Sequence, residues 1–130
     1  MDGKYSEKLK TGGELVVSKG NWHIRYYFSG PDLRYNGQFV EIYGNKIELY
    51  INAWKNNFSK YLELRKMIPE GGYFSTPGEM EMQIHIGLFD GVCLRSYHMP
   101  INTEVKLNSV IADYKYANDR AITVKKLMNW

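Results

Sequence analysis

From Asn21 to Phe28 the chain alternates residue by residue. Trp22, Ile24, Tyr26 and Phe28 fall on one side, and Asn21, His23, Arg25 and Tyr27 on the other. A period of two belongs to a strand with one buried face, so this segment commits the protein to a sheet. The alternation returns at residues 79–88, with Met80, Met82, Ile84, Ile86 and Leu88 inward and Glu79, Glu81, Gln83 and His85 outward. Between the two runs the period lengthens. Trp54, Phe58, Tyr61, Leu62 and Arg65 recur at three and four residues, the spacing of an amphipathic helix, with Asn52 as a suitable N-cap. A chain that changes period in this way cannot be all-β or all-α.

The remaining segments fill in an order. Leu15-Val16-Val17 reads as a strand, and Lys19-Gly20-Asn21 supplies the positive-φ residues of a hairpin. Residues 38–43 and 46–51 read as two more strands joined by Gly44-Asn45, which makes a four-stranded meander. Ile68-Pro69 and Gly71-Gly72 end the helix. Residues 73–75 form a short candidate strand, Asp90-Gly91 is a type I′ turn signal, residues 92–99 return as its partner, and 103–107 are a candidate last strand. Val110, Tyr114, Ala117, Ala121, Val124 and Met128 then hold one face of a closing helix capped at Asn108 or Ser109. The expected architecture is α+β, with antiparallel sheets in the order ββββ-α-ββ(ββ)-α. The polar residues 1–12 are expected as a flexible lead-in and 13–130 as a single domain.

Composition narrows the chemistry. With 130 residues the chain is long enough to bury a core without a metal or a disulfide, and its single cysteine excludes an internal bridge. Its longest apolar run is far short of the roughly 20 residues of a membrane helix, and the opening MDGKYSEKLK has no hydrophobic signal core. The cytoplasm is the expected location and no membrane partner is expected. No cofactor is expected: Gly12-Gly13 opens a strand and Gly71-Gly72 leaves a helix, whereas a phosphate loop follows a strand and opens a helix. His23, His85, His98 and Cys93 are scattered, without metal-ligand spacing. Cys93 has no aligned base and reads as a packing residue, and the carboxylates Glu41, Glu48, Glu79 and Glu81 sit on solvated faces that would not separate their pKa values. An enzyme is therefore not expected.

What remains is surface. The outward strand faces carry Arg25, Tyr27, Glu48, Tyr50, Glu79, Glu81, His85, Arg95 and Tyr97. The chain has 11 Tyr, and β propensity would be met equally well by Val and Ile at these sites. Tyrosine adds a rigid contact area and a hydroxyl, a combination enriched in protein interfaces and in base-stacking platforms.

The element order resembles the Whirly single-strand-binding fold, which implies a nucleic-acid module as the alternative function. The net charge of +3 permits it. However, the cations Lys55, Lys60, Arg65 and Lys66, then Lys115, Arg120, Lys125 and Lys126, lie on the helices, while Glu79 and Glu81 occupy the clearest strand. The chain also resembles the small cytoplasmic immunity proteins of bacterial contact-dependent growth inhibition and related polymorphic toxin systems, some of which are similar to Whirly domains. The likeness covers length, element order and the strand-to-helix passage Ile51-Asn52-Ala53-Trp54-Lys55-Asn56-Asn57-Phe58. It implies neutralisation of a cognate toxin domain by occlusion of its active site or substrate surface. Many immunity proteins against basic nucleases are acidic, and this chain departs from that pattern. The expected anchors are Arg25, Tyr27, Tyr50, Arg95 and Tyr97, with Glu48, Glu79, Glu81 and His85 supplying electrostatic specificity. The loop with Asp32, Arg34 and Tyr35 is the second candidate surface.

Overall fold

The computed structural model describes residues 3–27, 39–87, 90–94 and 100–130. Phe28, Leu88, His98, the loop with Asp32, Arg34 and Tyr35, and the expected anchors Arg95 and Tyr97 lie outside the described residues. The architecture is α+β. Strands β1 (Lys4–Lys8), β2 (Glu14–Ser18), β3 (Trp22–Tyr27) and β4 (Phe39–Tyr43) come first, then a 3-10 turn at Gly44–Lys46 and helix α1 (Ile47–Met67). Strands β5 (Phe74–Pro77), β6 (Met82–Ile86) and β7 (Gly91–Leu94) follow, and helix α2 (Glu104–Met128) closes the chain. Two compact units are built from these elements: Met1–Glu48 with Ser109–Trp130, and Leu49–Asn108.

The first unit holds an antiparallel sheet in the order β1-β2-β3-β4. The count of four strands is as expected, but its membership is not. Residues 46–51 are not a strand: Ile47, Tyr50, Ile51 and Trp54 are all buried, at spacings of three and four that continue directly into Phe58 and Tyr61. The helix therefore starts at Ile47, five residues before the expected cap Asn52, which is an exposed residue inside α1. The fourth strand comes from the expected lead-in. Lys4–Lys8 pairs with β2 along its whole length, from Lys4↔Ser18 to Lys8↔Glu14. No side chain of β1 is fully buried. Its inward Glu7 accepts hydrogen bonds from the Tyr5 hydroxyl (2.8 Å), the Tyr116 hydroxyl (2.8 Å) and Arg120 Nε (2.9 Å), so a polar strand is tied down by α2.

One face of this sheet carries Leu15, Val17, Ile24, Tyr26, Val40 and Ile42, all buried. The buried stripe Val110, Tyr114, Ala117, Ala121 and Val124 of α2 belongs to the same core, and the Tyr26 hydroxyl donates to that of Tyr114 at 3.1 Å. Asp113 is 5% exposed and accepts from both the backbone N–H and the hydroxyl of Thr11, which fixes the β1-β2 connection to α2.

The second unit holds the sheet β5-β6-β7. Met82, Ile84 and Ile86 of β6 are buried as their parity requires, and so is every residue of β7. Glu79 and Glu81 are not on β6 but in the turn that precedes it, where Met80 and Glu81 both take positive φ, 53° and 62°. Residues 103–107 do not form a strand. Ile101 makes the bridge to Val92 instead, with N···O distances of 2.8 and 2.9 Å, and the Thr103 hydroxyl caps α2 by accepting from the Lys106 N–H at 3.1 Å. The cap thus sits at Thr103 rather than at Asn108 or Ser109, with Glu104 favourably placed in the first turn. No helix among the described residues is long and apolar enough to cross a membrane.

Candidate functional site

Register decides which side chains share the other face of the first sheet. The pairs Ser6↔Val16, Val16↔His23 and His23↔Tyr43 make one row across the four strands. Lys8↔Glu14, Glu14↔Arg25 and Arg25↔Glu41 make a second, in which the charge alternates in sign, and Tyr27↔Phe39 begins a third. Antiparallel sheets commonly bury one face and leave the other in water. Here the watered face is aromatic: Tyr27 is 52% exposed, Phe39 45% and Tyr43 46%.

Arg25 organises this face. Its Nε and Nη2 donate to Glu41 Oε2 at 3.1 and 2.7 Å, and its Nη1 donates to the Tyr27 hydroxyl at 3.2 Å. The guanidinium lies 4.6 Å from the centre of the Phe39 ring and 5.9 Å from that of Tyr27, so cation–π attraction adds to the ion pair. Tyr27 and Phe39 meet edge to face at 6.0 Å, as do His23 and Tyr43 at 5.8 Å. The Tyr43 hydroxyl donates to Glu41 Oε1 at 3.1 Å. These contacts tie His23, Arg25, Tyr27, Phe39, Glu41 and Tyr43 to one another on the exposed face.

Titration sharpens this arrangement. Burial holds the His23 imidazole below its ordinary 6.5, with Arg25 adding to that effect and Glu41 opposing it. His23 Nε2 lies 2.9 Å from Glu41 Oε2. Burial pushes the Glu41 carboxyl up, but the Arg25 hydrogen bonds, the His23 charge and the Tyr43 hydroxyl together bring it below its ordinary 4.5. Glu7 is lowered likewise, burial being outweighed by its bonds from Tyr116, Tyr5 and Arg120. All three groups resist protonation more in the folded than in the unfolded chain. Each thus contributes stability that is complete above its unfolded pKa and is lost as pH falls. Melting temperature should drop in two stages on acidification, the first beginning near pH 6.5 from His23 and the second below pH 4.5 from Glu7 and Glu41. His23→Gln should remove the first stage and leave the second, as read by circular dichroism melts from about pH 8 to about pH 2. A first stage that persists in the variant would refute the assignment.

The other expected site residues are scattered. Glu48 is exposed in the first turn of α1. Tyr50, expected outward, is buried at 7% because it lies on the inner face of a helix and not on a strand. Glu79 is exposed, with its carboxylate oxygens 3.4 Å from Asn56 Nδ2, and Glu81 is exposed beside it. His85 Nδ1 lies 2.7 Å from the Ser75 hydroxyl on the neighbouring strand, and it does not join Glu79 and Glu81 on one strand face. Of the expected anchors, Arg25 and Tyr27 alone are brought together among the described residues. Phe39, Glu41 and Tyr43 complete their patch. The parity of residues 39, 41 and 43 in the expected strand is the available signal, but their alignment opposite Arg25 is set by the register of β3 against β4, which parity alone does not give.

A second polar cluster occupies the other unit. Asp90 Oδ2 accepts from the Tyr61 hydroxyl and Arg65 Nη1, and its Oδ1 accepts from the Gly87 N–H at 3.2 Å. Burial and the Asp90 carboxylate push the Tyr61 phenol up to about 12. A concavity of about 610 Å³ opens beside it, walled by Ile68, Pro69, Tyr73 and Ile86. Cys93 is buried, which raises its thiol to about 11. Among the described residues no group of three or more His, Cys, Asp or Glu is placed to hold a metal ion. No family model, curated protein or solved structure matches the chain.

Proposed function

We propose that the chain is a non-enzymatic binding protein that uses the open face of its first sheet to grip a protein partner. Following its resemblance to cytoplasmic immunity proteins, the partner is a cognate toxin domain whose active site or substrate surface is covered. The observation that supports this reading is Arg25, fixed by Glu41 and held against Phe39 and Tyr27 on an exposed face. Arginine and tyrosine dominate binding energy at protein interfaces, above all when they are already ordered, because little side-chain entropy is then lost on association. A standard interface takes roughly 800 Å² from each partner, which a four-stranded sheet face with its flanking residues can supply.

A protein fits this face better than a nucleic-acid strand. A phosphate backbone needs clustered cations, whereas Lys8 and Arg25 alternate here with Glu14 and Glu41. Alternating signs instead suit a partner with a complementary pattern, for which they set register and speed encounter. The test is co-expression with the protein encoded beside it, followed by size-exclusion chromatography and calorimetry. A one-to-one complex is expected, and Arg25→Ala and Tyr27→Ala should each weaken it by at least about tenfold. Unchanged affinity in both variants overturns the choice of face. Absence of a complex, together with tight, steeply salt-dependent binding of a short DNA single strand, overturns the class.

A further inference from the structure

Among the described residues the two sheets present four edges, and three of them are guarded. Edge strands normally carry charge, proline or a covering segment, because their free N–H and C=O groups would otherwise template another strand. β1 shows Lys4 and Lys8, both exposed. β5 is four residues long and ends in Pro77. β7 is bridged by Ile101. β4 is different. Its sequence, Phe-Val-Glu-Ile-Tyr, has no lysine, proline or glycine, its one charge, Glu41, is already paired with Arg25 of β3, and among the described residues its only strand neighbour is β3. Val40 and Ile42 are buried on one side of it, and Phe39 and Tyr43 are exposed on the other.

We propose that β4 accepts an extended segment of the partner as a fifth strand of the first sheet, with a Lys or Arg of that segment opposite Glu41. This rests on the reading above that the partner is a protein bound at this sheet, and it names the part of the partner that binds.

The charge row supplies the specificity. Lys8, Glu14, Arg25 and Glu41 lie side by side in register, so each strand meets an opposite charge on its neighbour, and the row ends at the edge on a carboxylate. Cross-strand pairs of opposite sign stabilise and like signs destabilise, so the next strand in the series carries a cation. Glu41 Oε2 is filled by Arg25 and His23. Oε1 accepts the Tyr43 hydroxyl and takes no second donor among the described residues. The residues two places to either side of that cation face Phe39 and Tyr43 and are best aromatic. The intervening ones continue the apolar side of Val40 and Ile42. The same pattern disfavours a second copy of this chain: the two-fold register that sets Phe39 against Tyr43 also sets Glu41 against its own copy.

A synthetic peptide tests this without the natural partner. Acetylated Thr-Val-Tyr-Val-Lys-Val-Tyr-Val-Thr, with a fluorophore at one end, should bind the full chain by anisotropy and should slow hydrogen exchange of amides in residues 39–43. The same peptide with Glu in place of Lys should bind about tenfold more weakly. Glu41→Lys should reverse that preference, and Glu41→Gln should abolish it. Rescue by the swapped peptide separates recognition from any folding defect of the variant. No protection at 39–43, or a preference that ignores residue 41, overturns the proposal. Concentration-dependent dimerisation with β4 protected in the absence of peptide gives the edge to a second copy and overturns it too. If the peptide binds as expected while Arg25→Ala and Tyr27→Ala leave the partner complex untouched, the choice of face is wrong and the edge stands. The reverse pair of results leaves the face and removes the edge.

Discussion

Replacing Trp54 with alanine is expected to destabilise the protein by about 3–5 kcal/mol, the cost of deleting a large aromatic from a core that relaxes only in part. Trp54 is fully buried. For a chain of this size, each kcal/mol lowers the melting temperature by about 3–5 °C, so the drop should exceed about 10 °C. Tyr50→Ala is the informative companion. A strand over residues 46–51 would put Tyr50 on the surface, and its removal would then change stability by no more than about 0.5 kcal/mol. In α1 it lies one turn before Trp54 on the same inner face, buried at 7%, and its loss should cost about 2–4 kcal/mol. Tyr27→Ala, on the open face, should stay near the surface value. Thermal melts of the three variants decide the matter: equal melting temperatures for the Tyr50 and Tyr27 variants would return residues 46–51 to the surface.

That contrast shows why one part of the fold is legible in the sequence and another is not. Ile47, Tyr50 and Ile51 fit a short strand after a Gly-Asn turn and also the first turns of a helix, since a run of six residues samples both periods. The ambiguity is lifted by Trp54, Phe58 and Tyr61, which extend the longer period and leave the shorter one without a continuation. Gly44 contributes as well. The Trp22 ring lies so close that a β-carbon there would overlap it, and the backbone turns into the helix at that point instead of reversing as a hairpin. β1 is hidden for the opposite reason. It buries no apolar side chain, and the groups that hold it, Tyr116 and Arg120, are more than 100 residues away in the chain. Hydrophobic patterning reports strands through the residues they bury, so a strand held through a carboxylate by a phenol and a guanidinium of α2 leaves no such mark.

The site divides along the same line. The outward parity of Arg25 and Tyr27 is a local property and is readable. Their neighbours Phe39 and Glu41 arrive through the register of β3 against β4, which no local pattern reports. Tyrosines count toward a surface only when their element is known: Tyr27 stays outside, while Tyr50 and Tyr61 enter the core of a helix.

Asn57→Ala is expected to cost about 2–3 kcal/mol, and the reason lies in the turn it holds. The turn from Glu79 to Met82 places two successive side-chain-bearing residues, Met80 and Glu81, at φ of 53° and 62°, closed by the Met82 N–H donating to the Glu79 carbonyl at 3.2 Å. That backbone is the one Asn-Gly adopts without strain, and left-handed geometry costs about 1–2 kcal/mol for each ordinary residue. Asn57, 2% exposed on α1, clamps it from below: its Nδ2 donates to the Glu79 carbonyl at 3.1 Å and its Oδ1 accepts the Glu79 N–H at 2.9 Å. Gly78 lies so close to this amide that a β-carbon there would collide with it. The double variant Met80→Asn with Glu81→Gly should therefore stabilise the chain by about 1 kcal/mol, the gain from relieved strain being reduced by the added freedom of glycine when unfolded. A double-mutant cycle separates the clamp from the packing of Asn57. If Asn57 offsets backbone strain, its loss should cost about 1 kcal/mol less once the turn has the Asn-Gly sequence, because that turn keeps its shape without the clamp. Equal costs in the two backgrounds, measured by urea unfolding, would mean that Asn57 acts through its packing beside the Met82 sulfur, 3.1 Å from its Nδ2, and not through the turn.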